Sequence, residues 1–256
     1  MLLTIDVGNT QIYCGVIKNN KVTARFRHTS NGAVTSDELG VFLLGALKAN
    51  GVNPSRIKEV AISSVVPALT RSIVHTVEKY FCLKPFVINQ KTKTKIYFKN
   101  GTLNGLGADR IADIEGAFYL HPKNNLLIID FGTAITFDTV AEDGQYLGGA
   151  ICAGPMLSMR ALAGGTALLS TVEIKKPKNT AGVTTETQIQ SGLVLGTIGL
   201  VKELTERLKQ ECFKKEKCLI IGTGGLGRLF ENENIFDFYE PDLILFGLSS
   251  LIRKNK

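Results

Sequence analysis

A short segment occurs twice in this chain, at positions 124 residues apart, and this repeat constrains the fold more than any other feature. In the first copy an apolar run ends in Asp6, and then Gly8 and two small polar residues lead into a second apolar run. In the second copy Asp130 and Gly132 take the same places. Each copy is typical of a buried strand, a tight turn and a returning strand. The repeat predicts two similar structural units.

The repeat extends beyond the first turn. The same offset carries the pair Asn19-Asn20 onto Asp143-Gly144, and both pairs favour two-residue hairpin turns because they tolerate positive φ. It also carries residues 21–26 onto residues 145–150. The first of these stretches alternates apolar and polar residues, which predicts a half-exposed strand. Each half therefore contains a predicted three-stranded meander.

The residues of the first turn suit a bound phosphate. Gly8 lets the backbone approach a ligand because it has no Cβ, and Asn9 and Thr10 offer hydrogen bonds beside backbone N–H groups. Asp6 is a hard oxygen ligand that could hold Mg²⁺, usually through water. One such turn alone is as typical of an ordinary hairpin. Two copies can face their phosphate loops across a cleft, as in a nucleotide-binding enzyme.

Length and charge narrow the class of protein. A chain of 256 residues that is 44% hydrophobic can form one large domain or two of about 120 residues. It begins directly with a strand, and no stretch approaches the roughly 20 apolar residues of a membrane span, so we expect a soluble cytoplasmic protein. The net charge is +7, but the basic residues are dispersed and have few interleaved aromatics. This pattern favours a small anionic ligand over nucleic acid.

Strands lead into helices in both halves, which indicates α/β architecture. In the first half the predicted elements are a helix from Ser36, a strand over 59–65, a helix from Pro67, a glycine-rich loop over 101–107 and a helix over 108–120. In the second half they are a strand over 126–130, a helix from Pro155, a long helix over 187–213, a strand over 218–221 and a helix over 242–252.

A glycine motif near the end of the chain has two interpretations. Residues 222–227 match the G-x-G-x-x-G pattern of dinucleotide-binding units. Such a unit needs a crossover helix, and only about seven residues separate Gly227 from the next apolar run. We therefore prefer a glycine turn that lies against the adenosine part of a nucleotide.

The segment GADR at 107–110 contains a candidate general base. Asp109 lies in the first turn of a predicted helix, where N–H groups and the dipole favour an anion, and Arg110 adds a fork of donors. An ionised carboxylate there can accept the proton of a substrate hydroxyl. On chemistry alone, a helix-capping aspartate beside a surface arginine is an equally good interpretation.

Several motifs together resemble those of the type III pantothenate kinases. They are DVGNT at 6–10, GADR at 107–110, DFGTAITFD at 130–138, YLGGAICAGP at 146–155 and TGG at 223–225. The resemblance covers essentially the whole chain, in order. It implies the α/β fold of the acetate and sugar kinase, Hsp70 and actin superfamily, with two duplicated ribonuclease H-like domains facing each other across a nucleotide cleft. We expect these domains at residues 1–118 and 119–256.

The resemblance also implies an activity. It is transfer of the γ-phosphoryl group of ATP to the 4′-hydroxyl of pantothenate, giving 4′-phosphopantothenate in the first step of coenzyme A biosynthesis. Mg²⁺ and a monovalent cation, K⁺ or NH₄⁺, are implied as cofactors. A homodimer is implied as well, with the helices from Pro155 and Thr187 as possible contact surfaces.

Individual roles follow from the residues that match the family's motifs. ATP would be contacted by Asp6, Val7, Gly8, Asn9, Thr10, Gln11, Ile12, Tyr13, Gly132 and Thr133. Asp6 would help to hold Mg²⁺, and Asp130 would bind the monovalent cation. Pantothenate would be contacted by Tyr97, Gly107, Ala108, Asp109, Arg110 and Thr185, with Asp109 as general base.

Two of these assignments have alternatives. The loop before GADR is about three residues longer than is usual in the family, so a neighbour of Tyr97 could take its place. Residues 181–185 match the family only loosely, so Thr184 could replace Thr185.

Two other classes of protein share some of these features. A nucleotide-gated chaperone or filament protein of actin-like fold would share the repeat, but such chains are usually longer. A DNA-binding regulator would fit the positive charge, yet the sequence has no helix-turn-helix or zinc motif.

Overall fold

The computed structural model describes residues 1–99, 105–214 and 216–256. Most of the predicted glycine-rich loop at 101–107 lies outside these ranges. The chain divides into two compact units: Met1–Pro122 together with Asp242–Lys256, and Lys123–Pro241.

The first unit contains a five-stranded mixed sheet in the order β3-β2-β1-β4-β5. Its strands are β1 (Leu2–Val7), β2 (Gln11–Lys18), β3 (Lys21–Thr29), β4 (Glu59–Ser64) and β5 (Phe86–Val87). The first three form the predicted antiparallel meander, and β4 and β5 add to it in parallel. The helices between Ser36 and Leu120 are α1 (Ser36–Ala49), α2 (Pro67–Phe81) and α3 (Ala108–Leu120).

Alternation along β1 gives the sheet two different faces. Leu3, Ile5 and Val7 point to one face and form a buried core with apolar residues of α1 and α2. Thr4 and Asp6 point to the opposite face. α1 begins at a capping box, in which the amide of Glu38 donates to the Thr35 side chain and Glu38 accepts from the Thr35 amide.

The second unit repeats this arrangement with a sheet in the order β8-β7-β6-β9-β10. Its strands are β6 (Asn125–Phe131), β7 (Ala134–Val140), β8 (Tyr146–Ala153), β9 (Cys218–Thr223) and β10 (Phe238–Tyr239). Its helices are α4 (Pro155–Gly165) and α5 (Thr185–Leu208). The long helix predicted to reach residue 213 leaves α-helical geometry at Leu208 and continues as a π-helical turn, Lys209–Phe213.

The two meanders share an irregularity as well as an order. Pairing slips between Val16 and Ile17 in the first and between Thr139 and Val140 in the second. The second hairpin turn is where they differ. Asn19-Asn20 forms the predicted two-residue turn, with φ of 51° and 61°.

The prediction of a two-residue turn at Asp143-Gly144 is wrong. The Ala141 amide donates to the Gln145 carbonyl, so the turn is longer, and positive φ within it is confined to Gly144. The Asp143 carboxylate instead accepts from the Gln145 amide at 2.9 Å. An aspartate that stabilises a turn in this way has no need of positive φ itself.

The last helix, α6 (Leu243–Lys254), packs on α3 in the first unit. Glycines make the contact possible: a Cβ on Gly247 would lie 1.7 Å from the Ala112 carbonyl oxygen, and one on Gly116 would lie 2.2 Å from that of Leu243. The structure therefore groups the chain differently from the ranges 1–118 and 119–256, because α6 belongs with the first unit. The boundary before β6 also lies four residues later, after Pro122.

The segment after β9 lacks the crossover helix of a dinucleotide-binding unit. In the described stretch 216–256, β9 is followed by one 3₁₀ turn, Gly227–Phe230, and then by β10, which pairs with β9 in parallel. Within the described part of the chain, no helix is both long enough and apolar enough to cross a membrane.

Candidate active site

The turn between β1 and β2 is a tight hairpin. The Gly8 amide donates to the Gln11 carbonyl at 3.1 Å, and a Cβ on Gly8 would lie only 3.2 Å from that oxygen. Asn9, Thr10 and Gln11 are exposed. Ser30, which follows β3, holds the turn through two hydrogen bonds: its hydroxyl donates to the Gly8 carbonyl at 2.5 Å and its amide to the Thr10 carbonyl at 2.9 Å. The turn is therefore held in one conformation, with Asn9, Thr10 and Gln11 exposed to solvent.

Two residues of this loop can offer only their backbone to a ligand. The side chains of Val7 and Ile12 are buried in the core shared with α1 and α2. Asp6 lies beside them on the opposite face of the sheet.

Asp6 stands in a polar row across the sheet. It pairs with Tyr13 on β2 and with Ser63 on β4, so the three side chains point to the same face. The Ser63 hydroxyl is buried and has no hydrogen-bond partner among residues 1–99, 105–214 and 216–256. Sequence reasoning missed Ser63, because its place beside Asp6 depends on the parallel register of β1 and β4.

Tyr13 is tied to the start of α6. Its hydroxyl donates to Oδ1 of Asp242 at 2.6 Å, and Nε of Arg25 donates to the same carboxylate at 2.7 and 2.9 Å. The guanidinium of Arg27 lies 4.0 Å from the centre of the Tyr13 ring. The Tyr13 hydroxyl is thus committed to Asp242, which leaves its backbone for any contact with a nucleotide.

This cluster shifts the pKa of both partners. Burial, and then the hydrogen bond to Asp242, raise the pKa of Tyr13. Burial acts to raise the pKa of Asp242 too, but the hydrogen bonds from Arg25 and Tyr13 outweigh it and hold that pKa below its ordinary value. Asp242 is therefore an ionised anchor beside the first loop.

The turn between β6 and β7 is the counterpart of the first loop. The Gly132 amide donates to the Ala134 carbonyl at 3.1 Å, so Thr133 lies at the tip. Gly154, the residue before α4, packs under this tip: its amide donates to the Thr133 carbonyl at 3.0 Å, and a Cβ there would lie 2.6 Å from the Gly132 carbonyl oxygen. The motif glycines thus allow close approach of two backbone segments.

Asp130 is covered by a glycine turn. It pairs with Thr223 at the end of β9, and the chain then turns through Gly224 at φ +90°. A Cβ on Gly224 would lie 2.2 Å from Oδ1 of Asp130. The Tyr239 hydroxyl holds the turn by donating to the Gly224 carbonyl at 2.9 Å. The first glycine of TGG therefore makes room for the Asp130 carboxylate.

Asp109 lies in the first turn of α3, after Gly107 at the N-cap. Its Oδ1 accepts from the Arg110 amide at 2.8 Å. From the sequence we expect the helix N-terminus and Arg110 to favour the ionised form of Asp109. Both lower its pKa, but the effect of burial is larger and raises that pKa above its ordinary value. The pKa is therefore raised and not lowered as expected, so Asp109 is a stronger base than an ordinary aspartate.

A recess of about 120 Å³ lies beside the start of α3. Its lining residues are Ile88, Asn89, Gln90, Leu106, Ala108 and Ile111. Tyr97 precedes residues outside the described ranges, and 44% of its surface is exposed. The recess combines apolar walls with two amide side chains, which suits a small ligand with both alkyl and amide groups.

Thr184 and Thr185 differ in their surroundings. Thr184 is the N-cap of α5: its hydroxyl accepts from the Thr187 amide at 3.3 Å, and its amide donates to the Thr187 hydroxyl at 3.0 Å. Thr185 is the first helical residue and is exposed. Because Thr184 is occupied by capping, Thr185 is the better candidate for a ligand contact.

A metal ion bound by Asp6 or Asp130 would take most of its ligands from water or from the substrate. In the described ranges, no group of three His, Cys, Asp or Glu side chains converges to hold a metal. Mg²⁺ is commonly bound through one or two carboxylates, waters and substrate phosphates, and Asp6 beside a phosphate-type turn fits that donor set. Asp130 lies close against the Gly224 turn, where a Cβ would be 2.2 Å from its Oδ1, and a carboxylate oxygen is a ligand that suits a hard cation.

Known proteins of one family are similar to this chain in sequence. Residues 2–207 match the family model of type III pantothenate kinases. The chain is 48% identical to the type III pantothenate kinase of Elusimicrobium minutum (strain Pei191), over 100% of this chain and 99% of the relative. It is 43% identical to that of Legionella pneumophila (strain Corby), over 97% and 96%.

A solved structure supports the fold. A Campylobacter jejuni protein described as a Baf family transcriptional activator matches with a TM-score of 0.59 at 19% identity, covering 99% of this chain and 98% of that one. At this identity the likeness concerns the fold alone. It agrees with the two sheets of identical strand order, which form a duplicated ribonuclease H-like fold.

The motifs match in sequence, their glycines and carboxylates occupy two equivalent loops and the first turn of α3, and the relatives match over their full length. The chain therefore belongs to the type III pantothenate kinases.

Proposed function

We propose that the two loops and the start of α3 divide one reaction between them. As a member of its family, the chain is an ATP-dependent kinase that phosphorylates pantothenate to 4′-phosphopantothenate, the first step of coenzyme A biosynthesis. The observation that carries our assignment of roles is the half-buried Asp109 carboxylate in the first turn of α3, directly after Ala108, which lines the recess.

In the proposed mechanism Asp109 is the general base. It would accept the proton of the 4′-hydroxyl as that oxygen bonds to the γ-phosphorus and the bond to the leaving ADP oxygen breaks. A base works best when its pKa lies nearer the operating pH, so the raised pKa of Asp109 supports this role. Gly107, Ala108 and Arg110 would orient pantothenate, with Tyr97 and Thr185 as further contacts.

The first loop is the proposed phosphate site. Asn9, Thr10 and Gln11 would meet the phosphates with side chains and amides, Gly8 would let the backbone come close, and Asp6 would act through Mg²⁺. Val7, Ile12 and Tyr13 would contribute backbone only, since their side chains are buried or occupied. Gly132 and Thr133 are the proposed contacts in the second unit. Mg²⁺, held in part by Asp6, would neutralise charge on the phosphates. Phosphoryl transfer depends mainly on such positioning and charge neutralisation.

Asp130 is the proposed ligand of a monovalent cation, K⁺ or NH₄⁺. Its carboxylate lies close against the Gly224 turn, whose backbone carbonyl oxygens are further ligands of the right kind. Carboxylate and carbonyl oxygens suit hard cations.

We further propose a homodimer that works in the cytoplasm, where ATP is the phosphoryl donor. Leu157 and Leu162 of α4 are exposed and line a depression of about 490 Å³ together with Ala153 of β8. Ile151, two residues before Ala153 on the same strand, is exposed as well. Exposed apolar patches of this kind mark association surfaces, and α4 is one of the two helices predicted to form the contact.

The test is ADP release measured with purified protein, Mg²⁺ and K⁺. We expect release to depend on pantothenate and to show no response to glucose, acetate or glycerol. Turnover at the same rate without pantothenate would remove the assignment of this acceptor.

A further inference from the structure

We infer that the end of α6, together with the buried Glu115 of α3, clamps residues 93–96 and thereby positions the acceptor-binding connection that carries Tyr97. The inference rests on the proposed function, because it takes Tyr97 and the start of α3 as contacts of pantothenate. It concerns side chains outside the motifs.

The centre of the clamp is a carboxylate without exposure to solvent. Glu115 is 0% exposed, and its Oε1 accepts from the Thr94 hydroxyl and from the Lys95 amide, both at 2.6 Å. Both donors belong to the connection between β5 and α3. A buried carboxylate is costly unless it is paired and hydrogen-bonded, so these contacts are fixed features of the fold.

The other oxygen of the same carboxylate faces α6. Oε2 of Glu115 forms an ion pair with Lys254, whose side chain is itself only 29% exposed, and lies 3.5 Å from the Ser250 hydroxyl. One carboxylate therefore joins α3, α6 and the connection. Removing one partner of such a buried pair is far more costly than removing an exposed pair.

A second attachment lies next to the first. The side-chain oxygen of Asn255 accepts from the Lys93 amide at 2.7 Å, and its side-chain nitrogen donates to the Lys93 carbonyl at 2.9 Å. Further along, Ile96 is buried and its amide donates to the Thr94 hydroxyl at 3.1 Å. Every residue from 93 to 96 is thus held, and Tyr97 follows directly.

In sequence, the clamped residues lie between the two stretches that line the recess. The connection leaves the recess at residues 88–90 and returns to it at residues 106–108. Glu115 is on the helix that carries Asp109, six residues further on, or about 9 Å along the axis. The clamp therefore fixes the position of the acceptor-binding connection relative to α3, the helix that carries the proposed base. Displacements of about 1 Å at such a site are costly to catalysis.

Two variants test this inference with a matched control. Lys254→Met and Asn255→Ala each break one attachment, and we expect about a 10-fold rise in KM for pantothenate, within the roughly 10²-fold that a small misplacement can cost. KM for ATP should stay unchanged, and Lys254→Arg should restore most of the loss. The control is Lys256→Met, which removes the exposed pair with Glu59 and should have no effect, since exposed pairs contribute little.

Amide hydrogen exchange gives a readout that needs no substrate. The amides of Lys93 and Lys95 should exchange faster in Asn255→Ala and Lys254→Met, respectively, and stay protected in Lys256→Met. If Lys254→Met fails to fold, the half-buried Asn255→Ala carries the test alone.

The outcomes separate the two proposals. Wild-type protein that ignores pantothenate overturns the proposed function and with it the link to the acceptor, while exchange still reports on the clamp. Active wild-type protein with unchanged KM for pantothenate in both variants overturns the inference alone. So does an equal loss of affinity for ATP and pantothenate, because that would be a general structural effect.

Discussion

The carboxylate of Asp109 occupies space that a side chain at position 107 would need. A Cβ added to Gly107 would lie 2.4 Å from Oδ1 of Asp109, so the glycine of GADR determines where the proposed base can stand. The same oxygen accepts the Arg110 amide, which orients the carboxylate over the first turn of α3. The motif therefore positions a base with backbone as much as with side chains.

Replacing Asp109 with Asn should lower kcat by about 10²-fold or more, the contribution typical of a general base. Asparagine keeps one hydrogen-bonding oxygen but cannot take the proton. Calorimetric titration with ATP should show little change, and affinity for pantothenate should weaken only modestly. The exposed Asp143→Asn serves as control, and a kcat within a few-fold of wild type would leave Asp109 as a helix cap or binding residue.

The pH dependence of kcat/KM for pantothenate should report on the same carboxyl, because it reflects pKa values of the free enzyme. A base must be ionised, and burial raises the pKa of Asp109 above the ordinary 3.8. Activity should therefore fall, as the pH is lowered, at a higher pH than for an ordinary aspartate. Arg110 acts to lower this pKa, so Arg110→Gln should move the acidic midpoint of kcat/KM further upward. An identical midpoint in both proteins would show that another group controls the profile.

Replacing Asp6 with Asn should lower kcat/KM for ATP by about 10-fold or more, since a lost charge-assisted contact costs roughly 1.5–3 kcal/mol. The variant keeps the shape of the residue in its row between Tyr13 and Ser63. We expect extra Mg²⁺ to restore the loss only in part, with the thermal unfolding midpoint unchanged. Wild-type activity would show that the first loop is structural.

Gly224→Ala should be destabilising by about 1–3 kcal/mol, because alanine at φ +90° is strained and its Cβ would collide with Asp130. We also expect a weaker activation by K⁺, measured by titrating activity with KCl against a choline background. Gly225→Ala is the matched control, since a Cβ there would have no neighbour within 4 Å in the described part of the chain. Equal behaviour of the two variants would argue against a cation site at Asp130.

Light scattering at micromolar concentration in potassium buffer should give the mass of a dimer. Ile151 is 63% exposed, and Ile151→Lys should weaken association by about 30-fold or more if it is a central contact worth roughly 2 kcal/mol. Val41→Lys changes an equally prominent apolar residue, 68% exposed, in the first unit and should leave the mass unchanged. A wild-type monomer under these conditions would contradict the proposed assembly.

Local patterns predict most of the elements. Apolar runs, the pair Asn19-Asn20 and proline at the first helical position identify strands, a turn and helices, because each depends on neighbouring residues alone. The duplication is visible because both copies keep the same bulge and strand order.

Long-range partners are the part that the sequence does not reveal. Arg25 meets Asp242 across 217 positions, and Lys254 meets Glu115 across 139. No periodicity links such pairs, since they depend on which helix returns to which sheet. The same return places α6 in the first unit, against the predicted ranges, and the raised pKa of Asp109 depends on burial that no local motif reports.

The return of α6 also has a consequence for how the chain is made. The second unit is continuous, from Lys123 to Pro241, so all of it can emerge from the ribosome and fold as one piece. The first unit begins earlier but lacks α6 until that second piece has been translated. Until then α3 exposes the groove at Gly116, and Gly15 on β2 lacks Leu245, whose side chain fills the space above it. The half of the protein that is synthesised first is therefore the half that is completed last.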